Sequence, residues 1–494
     1  MTRILAALLL VFAFAASPFD RAEAVEIKEV VSPGGIKAWL VEQHSIPLIA
    51  VSYEFAGGVS ADPPGKGGLA YLASGLMNEG AGELDSLAFQ KALDERAIRM
   101  SFDADRDQFS GGMVTLTEEK DEAFRLLGLA LSKPRFDADA VERVRDQVRS
   151  IQRSEADQPR SIAAKAWMKA AFPGHPYASN TTGTPESLAA LTAADLRAYV
   201  KDNFSRDRLI VGVVGDVTPA ELGPLLDKTF GALPATGAEL KVPDTTMSRP
   251  GEAAATPEPA DGDQETIELE VDFDGKVRWN GKVVGDMAEL KGYDTTGLPS
   301  VLVIERKVPQ SVAVFGMPGI KRDDPDWYAA MVVNQIFGSG GFSSRLMEEV
   351  RRKRGLTYGV YTYLQPYSHA GLVLGSVATV NARMGESKQV IESEIARMAE
   401  SGATEAEVAD AKTFLTGSYA LNFDTSGAIA GQLVGIQRYG FDRDYIDKRN
   451  AYIEAVTLAD VNRVAKRLLD PSRLFWVIVG EPEGLESKPE TATP

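Results

Sequence analysis

Two stretches of the chain set glycine beside residues able to do chemistry. The first reads Pro63-Pro-Gly-Lys66-Gly-Gly68-Leu-Ala70-Tyr71-Leu-Ala-Ser74-Gly75-Leu-Met77-Asn-Glu79-Gly80, a glycine-rich lead into an apolar helix that carries a phenol and an alcohol. The second reads Phe337-Gly-Ser-Gly-Gly341-Phe-Ser-Ser344-Arg345-Leu, followed by Glu348-Glu349-Val-Arg351-Arg-Lys-Arg354-Gly-Leu-Thr-Tyr358-Gly-Val-Tyr361. A guanidinium and a phenol such as Arg351 and Tyr358 can donate hydrogen bonds to a carbonyl or to an oxyanion. Read alone, Arg351 also fits a solvated basic cluster, and Tyr358 the start of a strand through Tyr361 and Tyr363. The 494 residues include no Cys and three His. Disulfides, thiolate metal sites and Cys nucleophiles are therefore excluded, and little room remains for a His-rich metal site. His44, His175 and His369 read as turn or loop residues.

The elements that would position these residues are organised as a duplication. Leu191-Thr-Ala-Ala-Asp195 leads to Arg208-Leu-Ile-Val-Gly-Val-Val-Gly215, and Val456-Thr-Leu-Ala-Asp460 leads to Arg473-Leu-Phe-Trp-Val-Ile-Val-Gly480. Both predict a Thr-capped helix, a buried strand and a Gly turn, at a separation of 265 residues. An earlier pair, Trp39 to Ser52 and Leu302 to Phe315, predicts a strand, a short turn near Pro and a second strand. Helices are expected over Glu119–Leu131 and Ser387–Met398, and Thr404-x-x-Glu407 opens another with a capping box. The fold class is α+β: two tandem homologous α/β domains, 25–240 and 301–484, joined by a linker over 241–300. Lys241 to Asp263 has the composition of a solvated linker. Within the joining region, Glu265–Asp272 alternates as a strand and Asn280-Gly281 marks a hairpin turn. This small β element, about 265–295, has no counterpart in the first half. Residues 485–494 read as a disordered tail.

Residues 1–24 read as a signal peptide. Thr2-Arg3 precedes an uncharged run from Ile4 to Ala16, shorter than the ~20 residues of a membrane span, and Ala22-Glu-Ala24 offers a cleavage site. A periplasmic or otherwise exported protein is expected, with no membrane span in the mature chain. The 53 Lys and Arg against 70 Asp and Glu, a net charge of −17, argue against nucleic-acid binding.

Together, the duplication and the two glycine-rich stretches resemble the insulinase/pitrilysin family of zinc peptidases, in its two-domain bacterial branch related to mitochondrial processing peptidase. The resemblance implies a duplicated metallohydrolase-like (LuxS-like) fold that forms half of a clamshell. The family binds zinc through His-x-x-Glu-His on a helix, with a further Glu on a later helix. The matching positions here are Tyr71, Ser74 and Gly75, and Ile151 where the later Glu belongs, so every component is missing. The chain is expected to hold no cofactor, with zinc only in a partner subunit, and to be inactive alone.

Arg351 and Tyr358 match the Arg and Tyr that the family directs at the substrate backbone. The resemblance thus implies the non-catalytic subunit of a heterodimeric peptidase, paired with a paralogue whose zinc motif is intact and acting on extended peptides. Arg99-Met-Ser-Phe-Asp-Ala-Asp105 resembles the strand that receives such a peptide. Two other readings are a peptide-binding or envelope scaffold of the same fold, for which 265–295 would be a contact, and a peptidase with an unrecognised metal site.

Overall fold

The computed structural model describes residues 26–248 and 300–485, together with the backbones of three strands at 269–271, 276–279 and 282–286. The signal segment, the Asn280-Gly281 turn, most of the joining region and residues 486–494 of the tail lie outside the described residues. No helix among the described residues is long and apolar enough to cross a membrane.

The repeat becomes two mixed sheets of matching topology. The first contains β1 (Lys28–Val31), β2 (Lys37–Glu42), β3 (Leu48–Ala56), β4 (Arg99–Ala104), β5 (Gln108–Leu116) and β6 (Leu209–Gly215), in the order β1-β2-β6-β3-β5-β4. Strands β7 (Leu269–Val271), β8 (Lys276–Trp279) and β9 (Lys282–Asp286) form a separate antiparallel sheet. The second large sheet contains β10 (Val301–Glu305), β11 (Gln310–Pro318), β12 (Val360–Pro366), β13 (Gly371–Val380) and β14 (Phe475–Gly480), in the order β10-β14-β11-β13-β12. In each, the returning strand runs parallel to the first strand of the repeat (β6 to β2, β14 to β10) and antiparallel to the second. Among the described residues, β1 has no counterpart in the second sheet.

The helices of the two halves include α1 (Leu69–Leu76), α2 (Lys120–Ser132), α3 (Ala138–Asp157), α4 (Pro159–Ala171), α5 (Ala193–Asn203), α6 (Pro219–Phe230), α7 (Trp327–Asn334), α8 (Met384–Ser401), α9 (Glu405–Gly417), α10 (Ser426–Arg438) and α11 (Leu458–Leu468). Capping boxes start α5 at Thr192, α9 at Thr404 and α11 at Thr457, each satisfying two otherwise orphaned backbone donors.

Each sheet is apolar on both faces, and the two faces are covered differently. In β14, Trp476 and Ile478 join a core with α7, α8 and α11 of their own half. The alternate residues Phe475, Val477 and Val479 instead pack against Ala163, Ala166 and Trp167 of α4, a helix of the first half. Reciprocally, Trp39, Val41 and Val214 of the first sheet pack against Ile429, Ala430 and Leu433 of α10, from the second half. The two halves therefore exchange helices. A glycine in each sheet makes room: a Cβ on Gly212 would stand 2.5 Å from the Ala430 carbonyl oxygen, and one on Gly316 would stand 2.7 Å from Cζ2 of Trp167.

The start of the joining segment is mostly exposed or half-exposed, yet it is anchored at a few points. Met247 is buried among the α4 contacts, Ser248 N–H donates to the Ala171 carbonyl at 2.8 Å, and Thr245 N–H donates to the His369 carbonyl at 2.9 Å. Its polar composition hides this, because a single apolar anchor and backbone donors suffice to hold it.

Candidate functional site

The first candidate locus lies on α1. Its first turn is fastened by Asp62: Oδ2 accepts from the N–H groups of Gly68 at 2.8 Å and Leu69 at 3.0 Å, and Oδ1 from Ala70 at 2.9 Å. Gly68 is left-handed (φ +87°), and a Cβ there would stand 2.8 Å from the Thr182 carbonyl oxygen, so the glycine is required. Burial pushes the Asp62 carboxyl up to about 7, against the pull of its three backbone donors. An acid raised above its unfolded value of about 3.9 binds more protons folded than unfolded between those two pH values. Its contribution to stability is therefore full below about pH 4 and falls as the pH rises towards 7. Asp62→Asn, which retains an accepting oxygen, is expected to flatten that part of the pH–stability curve, as thermal melts from pH 4 to 8 would register.

Three of the zinc-position residues then follow along one short helix, with no donor set between them. Ser74 is buried and donates its hydroxyl to the Tyr71 carbonyl at 2.8 Å, within its own helix. Gly75 lies so close to α3 that a Cβ would stand 2.9 Å from Cγ1 of Val144. Tyr71 is half-buried; burial first, then the carboxylates of Glu155 and Asp103, raise its phenol above the ordinary value and keep it neutral. Ile151 sits on α3, 38% exposed. Glu155, which sequence reasoning passed over, is the carboxylate that α3 does bring near Tyr71. It is already engaged by Lys165 Nζ at 2.8 Å and by the Thr182 hydroxyl at 3.2 Å. Among the described residues no three His, Asp or Glu side chains are arranged to hold a metal. A neutral phenol, an internally bonded hydroxyl, a glycine and an isoleucine do not fit zinc.

The histidines have other duties. His44 is exposed between Asp216 (2.7 Å) and Glu42 (3.3 Å). His175, expected in a surface loop, is instead buried, with Nε2 2.9 Å from the Pro243 carbonyl oxygen. Its neighbour Tyr177 donates to Asp107 Oδ1 at 2.7 Å and accepts from His369 N–H at 3.0 Å, tying the halves together. The loop that carries them is a joint, which its Gly-His-Pro-Tyr sequence does not disclose.

The second locus follows α7. The chain leaves that helix through a π-helical turn, Gln335–Ser339, crosses the glycine-rich loop and enters another, Met347–Arg352. Such turns are rare and recur at functional sites. Glu348 pairs with Arg352 at 2.7 Å, while buried Glu349 pairs with Lys353 and Arg354, each at 2.7 Å. Arg351 has no such carboxylate among the described residues; its guanidinium carbon lies 4.7 Å from the centroid of the Phe342 ring. Gly355 N–H donates to the Arg351 carbonyl at 2.8 Å, and the Thr357 hydroxyl contacts the carbonyls of Gly359 (2.9 Å) and Ala378 (2.6 Å). Between these anchors Tyr358 stands 86% exposed, in the loop before β12 rather than in the strand. No hydrogen bond or ion pair among the described residues joins Arg351 or Tyr358 to Tyr71, Ser74 or Ile151.

The segment Arg99–Asp105 supplies β4, which α1 packs against and which ends its sheet. Among the described residues no strand pairs with its outer side, where Ser101 and Asp103 are exposed.

Comparison with known proteins agrees with this picture of a peptidase fold without its metal site. Residues 190–415 match the family model of the peptidase M16 inactive domain. The chain is 24% identical over 438 residues to the non-peptidase homolog YmxG of Helicobacter pylori, covering 89% of this chain and 90% of that one. It is likewise 24% identical over 469 residues to an uncharacterized zinc protease of Mycobacterium bovis, covering 95% and 96%. Among solved structures, a peptidase M16 inactive domain from Pseudomonas fluorescens superposes with a TM-score of 0.76 at 24% identity, over 92% of this chain and 98% of that one. The chain is therefore similar to insulinase-like M16 peptidase proteins, including a non-peptidase homolog, and it lacks the zinc-binding motif at the matching positions.

Proposed function

We propose that this chain is the exported, non-catalytic subunit of a two-chain zinc peptidase, and that it presents Arg351 and Tyr358 to an extended peptide bound at a partner's metal site. The observation that carries the reading is the contrast between the two loci. On α1 an internally bonded serine, a half-buried phenol and a glycine with no room for a side chain beside Val144 leave no metal-donor set. Arg351, half-buried against Phe342, and Tyr358, exposed, meet no carboxylate among the described residues. A guanidinium and a phenol so placed can bind a peptide carbonyl and stabilise the negative charge that develops when it is attacked. The open edge of β4 offers main-chain hydrogen bonds to an extended chain.

The test is reconstitution. The purified chain is expected to cleave nothing alone and to support cleavage of fluorescein-labelled β-casein when mixed with a paralogue that retains His-x-x-Glu-His. Arg351→Ala and Tyr358→Phe are each expected to lower kcat/KM roughly tenfold to a hundredfold, the size of a charged or oriented hydrogen bond. Full activity in both variants would defeat the assignment. A second reading, a peptide-binding or envelope scaffold, draws on the separate β7–β9 sheet, which the first half lacks. Removing residues 265–295 would abolish capture of envelope partners under that reading and leave peptidase reconstitution intact under the first.

A further inference from the structure

We infer that Phe342 is a positioning residue for Arg351, holding the guanidinium by its face so that its edge donors stay free for a peptide carbonyl. The inference rests on the substrate-binding reading of Arg351 above.

Phe342 is 66% exposed, a large apolar side chain set at the surface of the glycine-rich loop. The loop beneath it is pinned. Gly341 is left-handed (φ +56°), and a Cβ on Gly340 would stand 2.4 Å from the Gln335 carbonyl oxygen. The hydroxyls of Ser343 and Ser344 donate to the carbonyls of Gly340 (2.8 Å) and Gly341 (2.9 Å). An exposed ring on a fixed loop gains little from burial, and the contact it does make is with the Arg351 guanidinium at 4.7 Å.

The neighbouring charges sharpen the point. Of the four consecutive cations, Arg352, Lys353 and Arg354 are each drawn onto Glu348 or Glu349, while Arg351 alone in that run meets an aromatic face. The difference is chemical as well as geometric. A carboxylate partner occupies the N–H groups of a guanidinium in its own plane. An aromatic partner engages the face and leaves the five in-plane donors available. Glu349, buried beneath the turn, keeps the adjacent cations from competing for the same ligand and is itself saturated by them.

The experiment uses the full chain in complex with the His-x-x-Glu-His paralogue, and fluorescein-labelled β-casein as probe. Phe342→Leu keeps the bulk and removes the ring face; it is expected to raise KM about two- to fivefold, as suits an exposed cation–π contact. Phe342→Trp should leave KM at or below the parent value. In an Arg351→Ala background Phe342→Leu should change nothing further, because its effect passes through Arg351. The isolated chain supplies a second readout when its arginines carry nitrogen-15. The Arg351 Nε–H resonance, assigned through its loss in Arg351→Lys, should lie upfield under the ring current and move downfield in Phe342→Leu. Additive losses in the double variant, or a resonance that Phe342→Leu does not move, would overturn the positioning role and leave Arg351 itself standing. Full activity in Arg351→Ala would remove both.

Discussion

Arg438→Ala is expected to lower the stability of the chain by about 3 kcal/mol, because it strands a buried carboxylate. Glu54, on β3, is only 2% exposed, and Arg438, the last residue of α10, reaches it from the other half of the molecule. Arg438 Nε lies 2.8 Å from Oε1 and 3.0 Å from Oε2, and a second guanidinium nitrogen closes the fork on Oε2. Taking Glu54 out of water costs several kcal/mol on general grounds, and the guanidinium is what offsets that cost. A third of the arginine side chain remains exposed, so water blunts the loss and places it at the lower end of the range for such pairs. Equilibrium urea unfolding should show a lower midpoint with little change in slope. Replacing both partners, Glu54→Leu with Arg438→Met, should recover most of the deficit, since no charge is then left behind. A loss below about 1 kcal/mol in the single variant would mean that Glu54 does not depend on its partner.

Trp167→Ala should do at least as much damage, about 3–5 kcal/mol, through a different cause. The indole is 1% exposed and fills the space between α4 and the second sheet, where Gly316 has no side chain to contribute. Its Nε1–H donates to the Phe475 carbonyl at 3.1 Å, and its ring centroid lies 6.3 Å from that of Phe475. Removal leaves a void lined by Leu374, Val477 and their neighbours, which the strands cannot close without breaking the ladder to β11. Trp167→Phe, which keeps much of the volume, should lose markedly less. Thermal unfolding followed by far-ultraviolet circular dichroism would rank the three proteins. Equal midpoints for Ala and parent would show that α4 is not needed to cover the second sheet.

Much of this architecture could be read from the residues, and the parts that could not have a common physical reason. The strand pairs at Trp39–Ser52 and Leu302–Phe315, the Thr caps and the Gly-terminated return strands all depend on local signals, namely alternation, capping geometry and turn chemistry. Each was found where expected. The exchange of α4 and α10 left no such trace. Apolar burial is non-directional, so Ala163 and Trp167 on one helix, or Ile429 and Leu433 on the other, do not say whose sheet they will cover. The same holds for His175 and Tyr177, whose buried bonds join residues far apart in the chain. At the candidate site, the loss of ligands on α1 was legible because chemistry demands particular residue types there. The isolation of Arg351 from its neighbours' carboxylates was not, since it depends on the π-helical turn and on which way each cation in the run points.

The position of β14 has a consequence for biogenesis. Residues 475–480 are buried throughout and lie between β10 and β11, so the second sheet has a gap in its middle until they are made. The first sheet, although all its own strands are complete by Gly215, lacks the cover of residues 426–438 until almost as late. Neither half can reach its final form while the ribosome is still working through the other. Sheets closed by contacts between residues so distant in sequence assemble slowly. The nascent polypeptide should accordingly keep an apolar face of its first sheet uncovered until residues 426–438 emerge, a surface that a chaperone can hold in the interval.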